Sequence, residues 1–420
     1  MSELKKTLNL VDILGAGYGY IVGAGIFSLL PLIIKYSKGY SWLAFVIGLI
    51  ISVCTCFSYS VLNNAFPGNE GEYKYIKEVF KGWNKTGVEI FASSMLYGHL
   101  IEGIALGSFI VLSLTNFANL YKNKIPNIIK NLVFIGIPTL INITGGKSTA
   151  SLNNIINVFI NLGLFAFIGG ALIKGTNYNQ LQLVPKNKNE IYDLIRAVFI
   201  TALPFNGFQS LVNLTEEAKN ISDIPKGMVG SLGLSGIVYV LITIATIVLL
   251  GITKSSNSVS PVAEGYKQLF GTLGENILNI ISILSGLTSL IVILYSRSRL
   301  MMKMASMNKI PSLFGKLYKS TPINSLIALF ISGFALTLLK GNVLEQLVNV
   351  SNTVALFIFA SVNATMIYYY YSKKKRNENG NENGNENGNE KEKKHMFPIY
   401  AFIGLIITLI LFFKSFEYYF

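Results

Sequence analysis

Residues 18–28 read Tyr-Gly-Tyr-Ile-Val-Gly-Ala-Gly-Ile-Phe-Ser, and they decide how the rest of the chain is read. They sit in the middle of the first long apolar segment, residues 10–34. Gly23 and Gly25 flank one small residue there. A helix interior loses about 1 kcal/mol for each glycine relative to alanine, so a membrane span carrying two of them is expected to break. In lipid, unwound backbone is tolerated only against protein or a water-filled cavity. Such a break leaves free N–H groups and the positive end of a half-helix facing the cavity, which suits a carboxylate.

Working outward, the chain has 420 residues, of which 51% are hydrophobic and 13% charged. That is too apolar for a soluble multi-domain protein. Apolar stretches of about 20 residues, the length that crosses a bilayer's hydrocarbon core, recur along the chain. The expected fold is all-α and polytopic, with one domain in the lipid bilayer. The net charge of +14 does not mark a nucleic-acid binder. The basic residues lie in short loops between apolar spans, which is the positive-inside pattern. Cys54 and Cys56 are two apart inside an apolar span and share no helix face, so they read as packing residues, neither metal ligands nor a disulfide. The first span is too long for a cleavable signal sequence, and no Ala-x-Ala-like site follows it. No cofactor is expected.

Eleven spans are expected, at about 10–34, 42–62, 87–114, 128–143, 152–173, 192–214, 228–252, 275–296, 323–339, 344–371 and 396–413. The division is a short basic start (1–9), a first repeat of five spans (10–173), a connecting loop (174–191) and a second repeat of five (192–371). A polar linker (372–395) and an accessory eleventh span with the C-terminus (396–420) follow. The linker repeats Asn-Glu-Asn-Gly and has nothing to bury, so disorder is expected. The larger share of Lys and Arg falls on the side of the N-terminus, which places that terminus in the cytoplasm; the cell membrane is the expected location, with an organelle's membrane left open.

Spans 1 and 6 each open a group of five. Span 6 carries Pro204 and Gly207, and proline removes an N–H and clashes with the preceding turn. Five is odd, so the two groups enter the membrane from opposite sides. Breaks at matching positions of two inverted halves point to a transport site at the midplane. The bland reading is that the glycines allow close helix packing.

These residues resemble the amino acid–polyamine–organocation superfamily of amino acid permeases. Gly-Ala-Gly-Ile-Phe (23–27) is similar to the family's first-helix motif. Pro67, Gly71, Tyr73 and Tyr75 resemble its loop after helix 2, with Glu70 in place of a glycine. Phe205-Asn-Gly-Phe208, Glu216-Glu-Ala-Lys-Asn220 and Ile224-Pro225 resemble helix 6 and its exit, and Tyr295-Ser-Arg-Ser-Arg-Leu-Met301, Lys309-Ile-Pro311 and Pro322 the end of helix 8 and its loop. The resemblance implies a leucine-transporter-type fold of five plus five helices, secondary transport of amino acids by alternating access, and a substrate with an α-carboxylate and an amine. It implies that the backbone of Gly23, Ala24, Gly25 and Ile26 holds the carboxylate. The carbonyls of Ile21, Leu203 and Asn206 would face the ammonium, with Phe205 and Gly207 beside them. Leu203 stands where many members carry an aromatic gate, so Phe205 or Phe208 is the alternative gate. Ile160 stands where proton-coupled members often have a lysine. Relatives commonly have twelve spans.

His99 and Glu102 lie three apart in span 3, on one helix face. As intramembrane ionisable groups they are candidates for carrying a proton, or Glu102 for pairing with a cationic substrate. The alternative is that they satisfy each other. Ser285, Thr288 and Ser289 place hydroxyls mid-span 8, where relatives hold a second sodium ion; packing is the alternative. Arg297 and Arg299 are expected to snorkel or bridge to the inner loop, and Asp12 to serve the start of helix 1. A polyamine transporter and a non-transporting amino-acid sensor remain as alternatives. An enzyme is not expected, since His99 and Glu102 lack a nucleophile or metal partner. The oligomeric state and the coupling ion, H+ or Na+, are left open.

Overall fold

The computed structural model describes residues 4–119, 124–380 and 398–417. The first span is two helices, α1 (Leu10–Ile21) and α2 (Ala24–Ser37). A capping box starts α1: the Asn9 side chain accepts from the Asp12 N–H at 3.0 Å, and the Asp12 carboxylate accepts from the Asn9 N–H at 2.9 Å. Val22 and Gly23 leave helical geometry, and α2 begins with Gly23 as a cap that offers no side chain.

There follow α3 (Ser41–Ala65), a short α4 (Glu72–Val79), α5 (Lys85–Asn119), α6 (Asn127–Ile143) and α7 (Gly146–Lys174). The sixth span again comes in two pieces, α8 (Lys188–Phe205) and a 3-10 segment (Phe208–Glu217). Gly207 joins them at φ 137, a backbone open mainly to glycine. The remainder is α9 (Asp223–Leu250), the short α10 (Ile252–Asn257), α11 (Pro261–Ser306, bent at Gly271), α12 (Ile323–Leu336), α13 (Val343–Gly380) and α14 (Ile399–Glu417). Counting each interrupted pair once and leaving out α4 and α10, the described residues hold the eleven expected spans. Seven helical stretches are individually long and apolar enough to cross a membrane, and four shorter apolar helices join them.

Helices of the two groups interleave: α1 and α3 both pack on α9, α2 and α3 on α8, α7 on α11, and α5 on α11 and α13. Outward faces are apolar, as in Phe159, Leu162 and Ile173, which are exposed and face the lipid. Two boundaries differ from the hydropathy reading. The polar stretch after α3 folds into α4, begun at Gly71 with φ 44. The tenth span runs on to Gly380, so residues 372–380 of the expected linker are helical. That stretch is rich in Lys, Arg, Asn and Glu, with no breaker before the glycine. The rest of the linker, residues 381–395, lies outside the described residues.

Candidate substrate site

The two breaks face each other at the centre of the bundle. A Cβ placed on Gly25 would lie 3.4 Å from the Pro204 Cα, and one on Gly207 would lie 2.8 Å from the Tyr20 ring. The start of α2 therefore packs on the end of α8 at Gly25 and Pro204, and the end of α1 on the second break at Tyr20 and Gly207. The first N–H groups of α2 have no intrahelical partner by the geometry of any helix start. Its cap, Gly23, has no side chain to supply one. The Asn206 side chain is 2% exposed, and neither its amide oxygen nor its nitrogen has a partner.

The carbonyl ends are less free than the sequence reading expects. The Ile21 oxygen accepts from the Gly23 N–H at 2.8 Å and from the Tyr239 hydroxyl. The Leu203 oxygen accepts from the Asn206 N–H at 3.0 Å. Tyr239 also reaches the Pro204 oxygen at 3.3 Å, so one buried phenol on α9 ties together the negative ends of both half-helices. It packs with Phe205 and Phe45, ring centroids 5.4 and 5.5 Å away. Nothing in the sequence marks this tyrosine: it is one polar atom in a long apolar span.

The span 8 hydroxyls bond backbone oxygens of the first span around its break. Ser289 donates to the Tyr20 oxygen at 2.8 Å and Thr288 to the Gly19 oxygen at 3.2 Å. Ser285 donates to the Val22 oxygen at 2.5 Å. The side of Gly23 is filled by Ser289, whose Oγ would lie 1.9 Å from an added Cβ. All three hydroxyls thus satisfy carbonyls exposed by the break.

His99 and Glu102 do not bond each other. The His99 Nε2 lies 2.8 Å from the Glu72 carboxylate on α4, and Arg297 donates to Glu102 at 2.5 Å. Arg297 also donates to Asn213 at 3.0 Å. Arg299 stacks on Tyr295 and donates to Glu217 at 3.1 Å. Both arginines are fully buried, so the snorkelling reading fails for them; buried guanidinium groups need carboxylates, and α5 and the 3-10 segment supply them. Asp12 serves the α1 start as expected and also takes Lys147 at 2.6 Å. Ile160 is fully buried, and its neighbour Asn161 accepts from the Tyr18 hydroxyl.

A bundle of membrane-crossing helices whose two interrupted spans meet at its core is the architecture of a secondary carrier. A profile described as amino acid permease matches residues 8–418, and the chain belongs to that family. It is 24% identical over 400 residues to cationic amino acid transporter 5 of Arabidopsis thaliana, covering 89% of this chain and 67% of that one. It is 23% identical to a branched-chain amino acid permease of Bacillus subtilis, and 22% identical to a methylthioribose transporter of the same organism. Each of these matches covers 86% of this chain and 80% of the relative. The chain spans about two thirds of the length of the plant relatives. Amino acid transport is the function that the family supports.

Proposed function

We propose that this multi-pass membrane protein moves amino acids by alternating access, with the substrate bound between the two breaks. The observation that carries the reading is the facing of the uncapped start of α2 and the end of α8 across Gly25 and Pro204. The N–H groups of Ala24, Gly25 and Ile26 receive the carboxylate. The carbonyls of Ile21, Leu203 and Asn206 receive the ammonium, after the Tyr239 hydroxyl has released the Ile21 oxygen. The surrounding contacts support a state closed on the side of the N-terminus. Thr7 and Leu8 bond the Glu217 oxygen at 3.0 Å, and the ion pairs of Glu102 and Glu217 lie in the same half of the bundle. The Lys and Arg bias favours the cytoplasm for that side. Transport, not catalysis, is the activity this arrangement performs.

The test is counterflow in liposomes holding the purified protein, with radiolabelled amino acids and polyamines, under imposed proton and sodium gradients. Exchange of at least one amino acid is the expected result. Exchange of polyamines alone, or of a thiosugar alone as the methylthioribose relative suggests, overturns the substrate; a thermal shift with amino acids but no flux would favour a sensor.

A further inference from the structure

On the face opposite the N-terminus, a cavity of about 480 Å³ opens between α2, α5, α8 and α13. Its lining on α2 reaches Ser28, so the cavity ends one turn above Ala24, within a side chain's length of the break in the first span. Leu29, Phe109, Phe199 and Val348 make apolar walls. Its lining includes one acid and one base, Glu345 and Arg196, and both are exposed at the mouth. Arg196 already has Asp193 at 3.8 Å. The same lining includes Asn352 of α13, which is shielded from solvent, and neither its amide oxygen nor its nitrogen has a partner. A buried polar atom left without a bond is disfavoured, so this amide is poised to accept a partner that enters the cavity.

We infer that this cavity receives the side chain of a neutral amino acid, and that Asn352 is the residue that reads it. The inference rests on the transport function proposed above. The reason is charge. A lysine or arginine side chain drawn into an apolar, membrane-embedded cavity needs a carboxylate, because an unpaired buried charge is strongly disfavoured. The acids buried nearest along α4 and α5 are taken: Glu102 holds Arg297 at 2.5 Å and Glu72 holds His99 at 2.8 Å. Glu345 stays in solvent at the mouth, where it can steer a cation but not neutralise one at the floor. Asn352 offers one acceptor and two N–H donors and no charge, which fits an amide or hydroxyl and tolerates a hydrocarbon. This chain therefore parts from its cationic-transporter relatives in substrate class.

The experiment is counterflow of labelled leucine in liposomes, competed by unlabelled leucine, glutamine, lysine or arginine. Leucine and glutamine are expected to compete, and lysine and arginine to fail at about tenfold higher concentration, the ratio that 1.4 kcal/mol of discrimination gives. Asn352→Asp adds the missing carboxylate and is expected to raise lysine uptake relative to leucine about tenfold or more. Asn352→Leu should weaken glutamine competition and spare leucine. A native protein that prefers lysine or arginine overturns the inference while leaving transport intact. So does a folded Asn352→Asp protein with an unchanged lysine-to-leucine ratio. If Asn352→Asp does not fold, the thermal shift of the native protein decides: leucine must stabilise it more than lysine does. No exchange of any amino acid overturns the transport reading as well.

Discussion

Single residues decide whether the centre works. Gly25 is the sharpest case, because even a Cβ there would stand 3.4 Å from the Pro204 Cα, so a larger side chain would wedge the two breaks apart. Gly25→Val is expected to abolish uptake while the protein stays monodisperse on size exclusion; unchanged uptake would remove the carboxylate from the start of α2. Tyr239→Phe deletes the hydroxyl that links the Ile21 and Pro204 oxygens. Loss of the bond should cost about 1–3 kcal/mol, read as a lower unfolding midpoint together with reduced uptake. Glu102→Gln leaves Arg297 buried without its counter-charge, a loss of about 3–5 kcal/mol. The double variant Glu102→Gln/Arg297→Met should recover most of it, which a role in proton transfer alone would not produce. Restored stability without restored transport would show that the pair carries function as well as structure.

At the scale of elements, each break is held by a neighbour. The first is pinned to α11 by Ser285, Thr288 and Ser289, which occupy the carbonyls that unwinding exposes. Because those carbonyls already have hydroxyl donors, uptake is expected to be the same in sodium and in choline. Sodium-stimulated uptake lost in Ser289→Ala would instead place an ion between the helices. The second break turns on Gly207, whose φ of 137 and contact with Tyr20 leave no space for a side chain. Gly207→Ala should cost about 1–3 kcal/mol in strain, measured by thermal unfolding. Sequence reasoning located both breaks, because glycine and proline act on the backbone locally. It missed the helical start at Glu72 and the extension of the tenth span past Tyr371, where polar residues in sequence conceal a continued helix.

At the scale of the whole molecule, polar contacts lace the side of the N-terminus around a cavity of about 1070 Å³ that Lys6, Glu70 and Lys303 help to line. Thr7 and Leu8 pair with the chain at Glu217–Lys219, joining the start of α1 to the exit of the second break. Nearby, Lys303 bridges Glu216 at 2.7 Å, and Lys309 and Lys77 share Glu89. The hydrogen bond to Glu89 holds the Lys309 ammonium above its ordinary pKa, so that bridge persists across the physiological range. The opposite face carries the cavity of about 480 Å³ between α2, α5, α8 and α13. A cysteine at Val348 should therefore react with an impermeant thiol reagent added on the side away from the N-terminus, and substrate should slow the labelling. The native Cys54 and Cys56 are buried and give little background. Labelling from the other side would reverse the orientation that the Lys and Arg bias implies.

The sequence by itself determined the class of fold, the number of spans and the place of the two breaks. Each of those is written in local physics: apolar length, helix-breaking residues and the odd count between them. Ser285, Thr288 and Ser289 were legible as hydroxyls midway along the eighth span, and packing sets them against carbonyls of the first break. The pairing of the charges came from packing alone. His99 and Glu102 share a helix face, yet one turns to Glu72 and the other to Arg297, residues 27 and 195 positions away. The same holds for Tyr239 and Asn352, each an ordinary polar residue in an apolar helix until packing sets one against two carbonyls and the other on a cavity wall. A buried polar group's meaning lies in what it meets, and spacing along one helix does not encode that.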